Sequence, residues 1–345
     1  MIYFIYLRIL KLKLIINAQS FSEGITCIQI RTFNNSEINK ILMNNSDRIK
    51  FSKPDFKTLN SQGFTCVDMH VHSLYSDTFT TIERILKKCK ENKLGVAITD
   101  HNNIKGLIKA LKFREVKNKD ILVIPGIEIS SREGPHILLY FYSVNDISDF
   151  YVKHIHKNVN KDPYTSINLT VAEIIDRASK YSCIKSVAHP FNISYLNFYN
   201  PLKKGKMPEW VIKKIDAIEV ISSLCLRKMN EKSIDFSNEY HKGITAGSDA
   251  HSLKDMGRAV SYSDADSVDT FLDNIRSNRN FVVGKETTNH ARMYTYSKSV
   301  VKHMRHPVST VHVRVRSKAS SILNKRKVIK RHIRKKVSSI RKRLS

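Results

Sequence analysis

Nine residues with metal-binding side chains follow one another along the middle of this chain: His70, His72, Asp77, His101, Glu128, His136, His189, Asp249 and His251. Imidazole and carboxylate groups together suit first-row divalent cations, and such cations activate water and neutralise charge on a phosphoryl group. In Val67-Asp68-Met69-His70-Val71-His72-Ser73 the two histidines are two apart, so on a strand both imidazoles face one side. Gly243-Ile244-Thr245-Ala246-Gly247-Ser248-Asp249-Ala250-His251 repeats the pattern with a carboxylate and an imidazole. Between these segments, short apolar runs end at His101, at Glu128 and at His189.

A single histidine is more often a core or surface residue satisfied by a hydrogen bond than a ligand, and the chain has 14 of them. Placement separates the two cases. Mixed His and Asp/Glu residues recur where predicted strands stop, which is the edge at which barrels and open α/β sheets carry their sites. Asp100, beside His101, is expected to cap the following helix, with support of an imidazole as the alternative. Arg258, in Gly257-Arg258-Ala259, is a weak candidate for contact with a substrate phosphate, as are Arg132, Lys185 and Lys254.

The elements needed to position these groups are legible as alternating strands and helices. Strands are predicted at 66–71, 96–99, 121–124, 136–142, 185–188, 216–221, 243–247 and 280–283. Helices are predicted from Thr81 to Asn92, with Ile82, Ile85, Leu86 and Cys89 on one face, and over 104–115, 170–181, 208–215, 227–241 and 267–277. Repeated βα units imply a parallel sheet, and this many of them favour a barrel over an open sheet. Ligands at successive strand ends would then converge on one mouth.

With these motifs in view the chain resembles the polymerase and histidinol phosphatase (PHP) superfamily over about residues 64 to 287. The resemblance rests on His70-Val71-His72 with Tyr75-Ser76-Asp77, Thr99-Asp100-His101, Pro125-Gly126-Ile127-Glu128, His136-Ile137-Leu138, Ala188-His189-Pro190 and Gly247-Ser248-Asp249-Ala250-His251. It implies a distorted seven-stranded (β/α) TIM-like barrel with a centre of two or three divalent ions, of manganese, zinc or iron. It also implies phosphoester hydrolysis by a metal-bound hydroxide with no protein nucleophile. By the same resemblance His70 and His72 would hold a first ion with Asp249, Glu128 would bridge to a second held by His136 and His189, and Asp77, His101 and His251 would hold a third. A carboxylate at Asp77 is the pattern of the nucleotide phosphatase and 5′-to-3′ exonuclease members. The expected substrate is therefore a nucleotide or the 5′ end of short RNA or DNA. Alternatives are a small-molecule phosphatase of the histidinol phosphate type and a noncatalytic metal- and nucleic-acid-binding protein. In one respect the chain departs from the family's bisphosphate phosphatases, where a sizeable helical insertion that helps hold substrate precedes the His-Pro motif. Here His136 and His189 are only 53 positions apart (189 minus 136).

Composition sets the outer limits. A 345-residue chain with 41% hydrophobic residues can bury a sizeable core. Five scattered cysteines without a CxxC pair point to a reducing, cytoplasmic compartment rather than a disulfide framework. Sixteen Lys and Arg and no Asp or Glu lie between Lys302 and Ser345, more than half of the net charge of +28. That tail, part of a 288–345 extension, is a candidate contact for RNA or DNA, although no aromatic residue follows Tyr296 to interleave with its charges. Residues 1–60 are expected to be a poorly ordered or partly helical extension. Its first sixteen residues are too short and too charged for a transmembrane segment; peripheral membrane contact is not favoured, and Met43 is an alternative start.

Overall fold

The computed structural model describes residues 48–117, 120–160, 165–192 and 196–293 with Thr295 and Ser297, together with the strand backbone of 2–5, 13–20 and 26–33. The chain divides into two compact units, Met1–Ile49 and Lys50–Ser345. In the first, β1 (Ile2–Ile5), β2 (Lys13–Ser20) and β3 (Thr26–Phe33) form an antiparallel sheet in the order β1-β2-β3. Within residues 1–60, expected to be a poorly ordered or partly helical extension, lie these strands and most of α1 (Phe56–Ser61), which Asp55 caps by accepting from Thr58 N. The basic segment from Lys302 onward lies outside the described residues. Among the described residues no helix is long and apolar enough to cross a membrane.

The second unit is a mixed α/β fold. Its strands are β5 (Thr65–Val71), β6 (Leu94–Ile98), β7 (Val123–Ser130), β8 (His136–Phe141), β9 (Cys183–Val187), β10 (Ala217–Ser222), β11 (Gly243–Gly247), β12 (Ala259–Ser263) and β13 (Phe281–Gly284), with β4 the two residues Ile49–Lys50. They form one ten-stranded sheet in the order β11-β10-β9-β8-β7-β6-β5-β12-β13-β4, where eight strands were expected from the pattern and a seven-stranded barrel from the resemblance. The sheet curls so far that β11 returns to β5. His72 N donates to Ala250 O at 3.1 Å and Ala250 N to His70 O at 3.3 Å, bridging the two strands just beyond their ends.

The sheet is not wholly parallel. β5, β6 and β7 run parallel, as do β9, β10 and β11, but β8 is antiparallel to both of its neighbours and β12 is antiparallel to β5. The cause is local: β7 and β8 are joined by the turn Ser131–Pro135, closed by Ser131 N to Pro135 O (3.1 Å), and a connection so short can only reverse the chain. Reversal has a functional consequence. It puts His136, the first residue of β8, at the same sheet edge as the last residues of the parallel strands.

The helices begin where short polar side chains can cap them. In α2 (Ile82–Asn92), Thr81 accepts from Arg84 N, and Ile82, Ile85, Leu86 and Cys89 are buried as the 3.6-residue pattern predicts. It stops at Lys93, which takes a left-handed conformation (φ 49°). α3 (Lys105–Lys117), α4 (Val144–Phe150) and α5 (Val171–Ala178) follow, the last closed by a capping box of Thr170 and Glu173. Then come α6 (Tyr199–Lys203), α7 (Glu209–Lys214), α8 (Arg227–Glu239) and α9 (Val268–Arg276). A core of Val67, Met69, Ala97, Ile124, Leu138, Tyr140 and Ile184 from the sheet meets Phe271, Leu272 and Ile275 of α9.

Gly247, the last residue of β11, is the point of closest approach to β5. A Cβ there would lie 2.3 Å from the Cβ of His70 and 2.6 Å from its backbone nitrogen. Gly247→Ala is expected to lower stability by about 1–3 kcal/mol through overpacking, read as a lower urea midpoint; an unchanged midpoint would show that the two strands are not in contact there.

Candidate metal centre

Each of the nine residues sits at the edge that the curled sheet presents. His70 ends its run on β5 and His72 follows it, Glu128 is on β7, and His136 opens β8. His101, His189 and Asp249 lie just beyond β6, β9 and β11, while Asp77 and His251 come from the loops after β5 and β11. Two irregularities aim these groups. Register slips between Asp68 and Val71 on β5 and between Glu219 and Ile221 on β10, and bulges of this kind redirect side chains near sites. His189 (φ 28°) and Asp249 (φ 52°) take left-handed backbone conformations, which cost a non-glycine residue about 1–3 kcal/mol each.

Glu128 occupies the middle. It is fully buried, and its two oxygens face different sets of rings. Oε2 lies 3.2 Å from His70 Nε2, 3.3 Å from His72 Nε2 and 3.0 Å from His101 Nδ1. Oε1 lies 2.9 Å from His136 Nδ1 and 3.4 Å from His189 Nε2. Asp249 Oδ1 joins the first set at 3.1 Å from His72 Nε2 and 3.6 Å from His70 Nε2. Asp77 Oδ2 meets His251 Nε2 at 3.0 Å, and His251 Nδ1 donates to the backbone oxygen of Asp249 at 2.8 Å. All nine residues are therefore linked in one cluster. Within it, three groups bring their ligand atoms together closely enough to hold an ion: His72, Asp77, His101 and His251; His70, His72 and Glu128; and His101, Glu128 and His136.

The donor chemistry fits cations. His70 Nδ1 donates to Glu219 Oε1 at 2.9 Å, which turns Nε2 inward, 3.2 Å from His72 Nε2 and beside two carboxylates. Glu128 Oε2 has three imidazole nitrogens within 3.3 Å yet accepts a hydrogen bond from none of them. Two buried carboxylates in one space need positive charge between or beside them, from a cation or from protonated rings. Burial pushes the carboxyls of Glu128 and Asp249 upward, but the surrounding imidazoles, His70 foremost in each case, hold both well below the ordinary carboxylate range. For His101 burial dominates and lowers its pKa to about 3, keeping the ring neutral and able to ligate.

Supporting residues complete the site, and most were not singled out in the sequence. Glu219 accepts from His70 Nδ1 and from the backbone nitrogen of His189 (2.8 Å), fixing one ring and one strained turn at once. Its only sequence signal is a carboxylate inside the apolar run Ala217–Ser222. Asp68 holds β11's end to β5 by accepting from Ser248 N (2.8 Å), Ser248 Oγ (2.5 Å) and Gly257 N (2.7 Å). Asp100 corrects an expectation: it does not cap α3 but accepts from Ser73 N and Ser73 Oγ, both at 2.6 Å, bracing the turn after His72. At the start of α3 it is Asn103 Oδ1 that accepts, from Lys105 N at 2.9 Å. Arg258 donates Nη2 to Glu286 O at 3.0 Å and has no hydrogen bond or ion pair with any of the nine; Lys185 is paired with Asp216 at 2.7 Å.

The model of the PHP domain matches residues 68–221, and that of the PHP-associated family matches 227–280. This chain is a PHP-domain protein. Members of the family are metal-dependent hydrolases. The uncharacterized protein MJ0417 of Methanocaldococcus jannaschii is 27% identical over 198 residues, 56% of this chain and 68% of that one. Among solved structures, Endonuclease Q in complex with a 27-mer duplex bearing an abasic lesion at the active site has a TM-score of 0.52 at 18% identity, over 65% of this chain and 60% of that one. A metal-dependent phosphoesterase from Bifidobacterium adolescentis, itself assigned as such only provisionally, has a TM-score of 0.43 at 17% identity, over 61% of this chain and 94% of that one.

Because Glu219 orients His70 through its outer nitrogen, Glu219→Gln is expected to weaken manganese or zinc binding about 10–100-fold in calorimetric titration without unfolding the protein. Wild-type affinity in that variant would show that Glu219 serves packing alone.

Proposed function

We propose that this protein hydrolyses phosphate esters of nucleotides, or of the 5′ end of short RNA or DNA, with two or three divalent ions held by His70, His72, Asp77, His101, Glu128, His136, His189, Asp249 and His251. One observation carries the reading: a single buried carboxylate, Glu128, turns each of its oxygens to a separate group of imidazoles, as a bridging ligand must. Mixed imidazole and carboxylate ligands favour manganese, iron or zinc over magnesium or calcium. Such ions would supply a water of lowered pKa and neutralise charge on the phosphoryl oxygens.

The chain's own residues prepare the site for that chemistry. Glu219 and the backbone oxygen of Asp249 hold protons at the outer nitrogens of His70 and His251, so that the inner nitrogens are free to ligate. No thiol is a rival nucleophile among the described residues. Cys66, Cys89, Cys183 and Cys225 are buried, and burial pushes the thiols of Cys66 and Cys183 up to about 12. The nucleotide preference is supported by Asp77, a carboxylate where the nucleotide-acting members resembled by the sequence carry one. The likeness in fold to Endonuclease Q favours a polynucleotide ester as a second reading, with the segment from Lys302 onward as the added contact.

With manganese, the full chain is expected to release phosphate from nucleoside monophosphates or to shorten 5′-labelled oligonucleotides. A chelator should abolish the activity, and Glu128→Gln should lower it at least about a hundredfold. Turnover confined to histidinol phosphate-type small esters would move the assignment to that class. Absence of turnover on every phosphoester, with nucleic-acid binding lost on deletion of 302–345, would favour the noncatalytic alternative.

A further inference from the structure

Beyond the His189-Pro190 turn the chain builds a cleft of about 280 Å³ that the metal centre does not use. Phe191 and Tyr199 form one wall, their ring centroids 4.7 Å apart, and Asn197 lies beside them. Met229, Lys228 and Lys232 of α8 form the other. The first wall belongs to the segment matched by the PHP domain and the second to the segment matched by the PHP-associated family.

The aromatic wall is fastened to the turn that carries His189. Phe198 N and Tyr199 N donate to Pro190 O at 3.0 and 3.3 Å, and Asn192 N donates to His189 O at 2.9 Å. Asn197 Nδ2 donates to Asn192 O at 3.2 Å. Phe236 meets Phe191 and Tyr199 edge-on, at 89° and 90°, which holds both rings in place. Charge is distributed as selectively. Lys203 is paired with Glu239 and Lys214 with Asp176, whereas the exposed Lys228 and Lys232, one helical turn apart, make no ion pair among the described residues.

Rigid aromatic rings beside unpaired lysines are the surface on which a nucleobase stacks while its phosphates are held. We propose that this cleft is a nucleobase subsite, in which the base of the substrate stacks on the Phe191 and Tyr199 wall while its phosphate lies at the metal centre. Lys228 and Lys232 take the phosphate of the next nucleotide. At about 280 Å³ the cleft falls just below the usual size of ligand sites and accepts one base rather than a base pair. The proposal rests on the nucleotide reading above and names the residues that select the substrate.

The test is calorimetric titration of the full chain with adenosine 5′-monophosphate, ribose 5-phosphate and a 5′-phosphorylated dinucleotide. Wild type is expected to bind the monophosphate more tightly than ribose 5-phosphate. Tyr199→Leu should weaken the monophosphate about tenfold and leave ribose 5-phosphate unchanged. Lys228→Ala with Lys232→Ala, surface changes that spare the core, should weaken the dinucleotide and not the monophosphate. Equal affinity of wild type for the monophosphate and ribose 5-phosphate, or equal losses for both in Tyr199→Leu, would overturn the subsite. Failure of the manganese-loaded protein to hydrolyse either compound, with the binding differences intact, would instead overturn the hydrolytic reading and leave the subsite standing.

Discussion

The structure depends on a buried carboxylate that touches five imidazoles. Glu128 sits where His70, His72 and His101 approach one oxygen and His136 and His189 the other. An isolated buried carboxylate would protonate rather than remain charged. Three of the rings are held from outside: Glu219 on His70, the Asp249 backbone on His251, and Ser76 beside the outer nitrogen of His72 at 3.4 Å. On His70 and His251 the outer nitrogen donates to a fixed oxygen, which turns the inner nitrogen toward the shared space.

That convergence explains features of the fold that a simple βα repeat would not contain. β8 runs against its neighbours, and only so can a residue at the start of a strand join ligands at the ends of others. The sheet curls until Val71 bridges Ala250, which brings His72 to Asp249 across 177 residues of sequence. Gly247 permits the contact, since any side chain there would strike His70. Backbone strain at His189 and Asp249 is confined to the ligand turns, and each is held by neighbours: His189 N by Glu219, and the segment at Asp249 by the Asp68 bonds to Ser248.

Much of the site was legible because its signal is local. His70 and His72 two apart on a strand, or Asp249 and His251 after an apolar run, express a spacing that any strand end converts into convergence. The amphipathic face of α2 was equally plain in Ile82, Ile85, Leu86 and Cys89. Glu219 was not legible, since a carboxylate in an apolar strand has no partner visible within its own segment; His70 is 149 residues away. Asp100 misled for a related reason: its neighbours in sequence offer a helix start, while its actual partner, Ser73, comes from another loop.

The sequence by itself determined which residues could bind metal and where the strands and helices that carry them fall, because these follow from side-chain type and short-range period; the family followed from the resemblance of its motifs. The tertiary structure alone decided that Glu128 stands between two groups of imidazoles, that the sheet is mixed and ten-stranded, and that Glu219 and Asp68 belong to the site. Those properties arise from contacts between residues dozens to hundreds of positions apart. Such contacts depend on strand direction, register and curl, which the one-dimensional pattern of apolar and polar residues does not encode.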